Sequence, residues 1–143
     1  MDTVTAESQR WDLSRLYRSP SDPAIEADLA GARATATAFR DTHRGRLGAL
    51  DPAGLRQALE TLEQLKAKLT MLQLYVSLLF WADTRQEVSK ALYERVRSET
   101  AAIENQTKFF RVELHQLGTD RLQALKDAEA LRPYRYYLAR LES

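Results

Sequence analysis

Residues 52 to 82 read PAGLRQALETLEQLKAKLTMLQLYVSLLFWA, and this stretch decides the fold. Its core stripe has gaps of four, three, three, four, three, four and three between Leu55, Leu59, Leu62, Leu65, Leu69, Leu72, Val76 and Leu79. Such spacing places the eight side chains along one face of a helix. At 1.5 Å per residue this helix is about 45 Å long, so we expect a long member of an antiparallel bundle.

Aspartate followed by proline marks two helix starts. Asp22 precedes Pro23 in SPSDP, and Asp51 precedes Pro52 in LDPAG. Aspartate accepts from free N–H groups of the first turn, and proline suits the first helical position because its missing N–H has no partner there. We therefore predict an Ala-rich helix over 23–43 before the long one.

The second half of the chain carries further helix signals. In ADTRQEV, Thr84 and Glu87 have the spacing of a capping box, which predicts a new helix after a very short turn. Gly118 is predicted to end this helix, and Thr119 or Asp120 to cap the next one. The predicted core face of the helix after the turn comprises Val88, Leu92, Val96, Ile103, Phe110, Leu114 and Leu117.

The two ends of the chain differ in character. Residues 1–9 are polar, and we predict a flexible N-terminus followed by a single helical domain over 10–143. Trp11 and Leu16 flank Asp12 with the spacing of a hydrophobic staple around a cap. Near the other end, Pro133 is predicted to open a last helix. Its predicted buried face consists of Tyr134, Tyr137, Leu138 and Leu141.

No strand-like alternation interrupts these helical patterns. We therefore predict an all-α fold: an elongated antiparallel bundle of about four to six helices with long helical hairpins.

Composition argues against several classes of partner. The 143 residues include 21 Lys and Arg against 20 Asp and Glu, so no overall field attracts nucleic acid or an anionic membrane. The longest apolar run, 71–82, is well short of the ~20 residues of a membrane span. No cysteine and no secretory signal are present, so we expect a cytoplasmic location.

Catalytic and metal-binding patterns are missing from the chain. Neither His43 nor His115 belongs to an H-E-x-x-H motif, and we interpret both as exposed helix-end residues. We interpret Glu99, Glu104 and Glu113 as a solvated face, since a di-iron bundle needs Glu-x-x-His pairs. We predict no catalytic, cofactor-binding or metal-binding residue.

Two aromatic regions leave alternatives open. In LYVSLLFWA the apolar residues, including Phe80 and Trp81, cover more than one side of the helix. Either other helices enclose this end, or it contacts something outside the chain; adjacent Phe109 and Phe110 pose the same choice. In RPYRYYLAR, Tyr136 and its neighbours form either an amphipathic helix, which we favour, or a stacking platform for single-stranded nucleic acid.

The ordered set RWDLSRLY, SPSDPAIEADL, LYVSLLFWADT, ENQTKFF and YRYYLARL resembles the N-terminal region of the oligoendopeptidase F family. These enzymes are zinc metallopeptidases similar to thimet oligopeptidase, and the resemblance runs from Arg10 to Leu141. It implies a helical domain that helps wall a channel for short peptides. Zinc and the catalytic groups would belong to a missing catalytic domain of the same parent chain, so no cofactor is expected in this one.

The resemblance also implies contacts for the exposed aromatic residues. Trp81, Phe80, Phe109 and Tyr136 are predicted to pack on the catalytic domain or to face the channel. The alternative is a free-standing helical interaction module whose leucine stripes bind a partner helix. Self-association of the isolated chain is compatible with both hypotheses.

Overall fold

The computed structural model describes residues 13–82 and 85–141. Within these ranges the chain forms six α-helices and three short 3₁₀ segments, with no β-strand. The helices are α1 (Pro23–His43), α2 (Pro52–Ala82), α3 (Glu87–Thr107), α4 (Phe109–Gln116), α5 (Thr119–Asp127) and α6 (Arg135–Arg140). The 3₁₀ segments are Leu13–Arg15, Leu47–Ala49 and Glu129–Tyr134. The prediction of an all-α helical bundle is confirmed.

Both Asp-Pro signals begin helices at the predicted residues. Asp22 accepts from the Ala24 amide at 2.9 Å, and Pro23 is the first residue of α1. Asp51 Oδ1 accepts from the Gly54 amide at 2.7 Å, at the start of α2. The sequence alone is enough to predict these two helix starts, because the cap and the proline act within one helical turn.

The three long helices α1, α2 and α3 pack against one another. The α1 and α3 helices run parallel, because Glu26 of α1 pairs with Arg95 of α3 while Thr37 donates to Gln106 at 2.9 Å further along. The α2 helix runs antiparallel to both. Ala32 and Ala36 of α1 are buried, and their small side chains permit close approach to the neighbouring helices.

The hydrophobic core has two clusters, and α2 contributes to both. One cluster lies among the three long helices and includes Leu72 and Val76. The other lies where α4, α5, α6 and the last two 3₁₀ segments cover the first half of α2, and it includes Leu55 and Leu59. The 31-residue α2 therefore runs through both clusters, and α1 reaches the second one through Phe39.

The predicted fourth helix is divided in two. The Lys108 amide bonds the Asn105 carbonyl at 3.5 Å, three residues back instead of four, and α4 restarts at Phe109. The Thr107 hydroxyl donates to the Glu104 carbonyl at 3.0 Å, a type of side-chain bond that bends helices. The segment still ends at Gly118 as predicted, and the φ of Gly118 is 91°.

Several local predictions were wrong. Gly118 itself occupies the cap position of α5, so neither Thr119 nor Asp120 caps it. Pro133 lies inside the 3₁₀ segment, and α6 begins only at Arg135. Val88 is 64% exposed, whereas the next residue, Ser89, is buried, so the first turn of α3 directs Val88 to the solvent.

Two predicted caps involve residues that the structure does not describe. Trp11 of the predicted staple and Asp12 of the predicted cap both lie before residue 13, outside the described residues. The whole of the predicted flexible N-terminus also lies there. Thr84 also lies outside the described ranges, and the residue preceding α3 is Gln86.

Candidate functional site

A groove of about 650 Å³ lies on the surface of the described residues. It is lined by α2, by the junction of α3 with α4, and by the C-terminal segment that contains three tyrosines. Its floor is apolar because the α2 core stripe continues into it through Leu59, Leu62, Leu65 and Leu69, and Phe110 lies beside them.

The antiparallel hairpin of α2 and α3 positions the two walls. Gln73 donates to the Thr100 hydroxyl at 3.0 Å, and the Phe80 ring stacks on Tyr93 with centroids 4.9 Å apart. Residue numbers therefore fall along α3 as they rise along α2. The first half of α2 consequently lies beside the α3–α4 junction, where the groove is.

Charged side chains of both signs surround the groove. Glu63 and Lys66 belong to the α2 wall, whereas Glu104, Lys108 and Arg111 belong to the opposite wall. Among the described residues, no ion pair joins Glu63, Lys66, Lys108 or Arg111 to an opposite charge. These four groups therefore have charge available for a ligand.

Two tyrosines face differently charged surroundings. Burial raises the pKa of Tyr137, and the positive charge of Arg111 offsets part of that rise. Burial also raises the pKa of Tyr134, and the negative charges of Glu63 and Glu60 add to the rise. Both phenols are therefore protonated at neutral pH and available as hydrogen-bond donors. The charges that act on Tyr134 belong to α2 and are mainly negative, whereas the charge that acts on Tyr137 is the positive Arg111 of α4.

Tyr136 lies at the rim of the same groove and is 77% exposed. The Arg140 guanidinium lies 6.0 Å from the centroid of its ring. Leu138 is buried, whereas Arg135 and Arg140 are exposed, as the amphipathic interpretation of RPYRYYLAR predicts. Tyr136 is the only one of the four predicted contact residues that lines the groove.

A second candidate surface is the outer ridge, which we define as Leu74, Leu78 and Trp81 of α2. Leu74 and Leu78 lie two positions from the buried Leu72 and Val76, about 200° around the helix. Leu74 is 47% exposed and Trp81 66% exposed. Between Lys68 and Asp83 the sequence has no charged residue, so the ridge has no charge of its own. Within the described residues, no helix covers Leu74 and Trp81.

The structure does not bring the four predicted contact residues together. Phe80 packs on Tyr93 within the bundle, and Phe109 lies 5.8 Å from the ring of Phe39. Trp81 lies twelve residues beyond the last α2 leucine of the groove, about 18 Å along the helix. The two exposed residues of the four therefore belong to separate surfaces: Trp81 lies on the outer ridge and Tyr136 lines the groove.

Both histidines have structural partners. The His43 ring meets Phe39 edge to face at 4.7 Å, and burial lowers the pKa of His43. The interpretation of His43 as a group whose positive charge suits the helix end was therefore wrong, since desolvation opposes that charge. His115 Nδ1 is 2.9 Å from the Leu141 carbonyl. Because a carbonyl only accepts, Nδ1 carries the proton.

The glutamates predicted to form a solvated face are partly engaged. Glu99 pairs with Arg33 of α1 and lies 3.1 Å from Arg95 Nε. Glu113 accepts from the Gly45 amide at 2.9 Å through both carboxylate oxygens. Only Glu104 is exposed, so the interpretation was wrong for the other two. Glu99 joins α3 to α1, and Glu113 joins α4 to the loop at Gly45.

In the part of the chain that the structure describes, no group of three or more His, Asp or Glu side chains converges as a metal site requires. No helix there is long and apolar enough to cross a membrane. Comparisons with known families, with curated proteins and with solved structures find no match.

The groove charges were not identified from the sequence. Lys108 and Arg111 have the i, i+3 spacing that places two side chains on one helix face, which was the available local signal. Their position in one groove with Glu63 depends on how α2 packs against α3, and no local pattern contains that information.

Proposed function

We propose that the chain is the N-terminal, non-catalytic helical domain of a cytoplasmic zinc-dependent oligoendopeptidase. In this role its helices help to wall the channel that limits hydrolysis to short peptides. Zinc and the catalytic groups belong to a catalytic domain of the same parent chain. The ordered resemblance from RWDLSRLY to YRYYLARL supports this family.

The outer ridge is the structural observation that carries the proposal. Trp81 and Leu74 are large, exposed and free of neighbouring charge along α2. Large apolar side chains that are exposed along one helix face are typical of a contact surface. The catalytic domain of the parent is the partner that fits both this surface and the resemblance.

The coding sequence beyond Ser143 tests the proposal at once. A downstream H-E-x-x-H motif on a predicted helix is expected, because its two histidines bind zinc and its glutamate activates water. A gene that stops without such a motif would rule out the peptidase assignment.

The outer ridge also supports a second function, that of a free-standing module binding a partner helix. Leu74, Leu78 and Trp81 have gaps of four and three, the spacing of a helix-pairing seam. Sedimentation of the isolated chain and of Leu74→Arg tests self-association through this seam. A dimer that the substitution converts to a monomer supports the seam, whereas a wild-type monomer counts against it.

A further inference from the structure

We draw no further inference here: the strongest candidate, the groove between α2 and the α3–α4 junction, has both charge signs on each of its walls, and nothing in the structure shows what occupies it.

Discussion

Tyr17 and Tyr75 meet edge to face with ring centroids 5.0 Å apart, which joins the start of the described chain to the longest helix. The Tyr17 hydroxyl also donates to Asp28 of α1 at 2.6 Å, and Asp28 lies 3.4 Å from Lys68 of α2. Both tyrosines are buried, at 3% and 1% exposure. One aromatic contact and one charged hydrogen bond thus tie this segment to both helices.

Substitution of Tyr17 separates these two contributions. Tyr17→Phe keeps the ring but removes the bond to Asp28, so we expect a loss of about 1–2 kcal/mol in the free energy of unfolding. Tyr17→Ala also empties the ring site and should cost about 3–5 kcal/mol. Urea denaturation measures both. Equal losses for the two variants would show that the ring does not contribute.

Leu72 and Leu74 test the orientation of α2. Leu72 is fully buried, whereas Leu74 of the outer ridge is 47% exposed. We expect Leu72→Ala to lower the free energy of unfolding by about 2–5 kcal/mol and Leu74→Ala by less than about 1 kcal/mol. The two substitutions are chemically identical and two residues apart, so each controls the other. Similar losses at both positions would contradict the described packing of α2.

Asp22 is expected to make stability depend on acid pH. Hydrogen bonds from the backbone amides of Arg18 and Ala24 lower the pKa of Asp22 below its ordinary value of 3.8. The folded state therefore favours the carboxylate, so this contribution is complete above pH 3.8 and disappears as the pH falls through the lower folded pKa. Thermal unfolding of Asp22→Asn, which does not titrate, should show a weaker dependence over that range. An unchanged profile would contradict the cap.

His43 is expected to make stability depend on pH in a higher range than Asp22 does. Burial beside Phe39 lowers the pKa of His43 from 6.5, so the folded state favours the neutral ring. The stability that depends on neutral His43 is complete above pH 6.5 and is lost as the pH falls below it. The stability of His43→Gln should vary less between about pH 7 and pH 5. If both proteins lose stability equally there, another group is responsible.

The parts of the fold that local sequence determines were predictable. Asp-Pro pairs fixed the starts of α1 and α2 because a cap and a proline act within one turn. The leucine stripe identified α2 because its period is that of the helix itself. The bounds of these two helices agree with the prediction at each end.

Features that depend on packing were not predictable in the same way. The division after Thr107 and the exposure of Val88 reflect where α3 meets its neighbours, and neither alters the apolar spacing of the sequence. The groove likewise combines Glu63 with Arg111, which are far apart in the chain. Its charges come together only when α2 lies beside the junction of α3 with α4.

Peptide hydrolysis by the full-length gene product tests the central claim most directly. A short quenched fluorescent peptide is incubated with the full-length protein and with the isolated 143-residue chain, each with and without a chelator. We predict cleavage by the full-length protein alone, abolished by the chelator and restored by added zinc. A full-length protein that leaves short peptides intact with zinc present, or that cleaves them regardless of the chelator, would contradict the assignment.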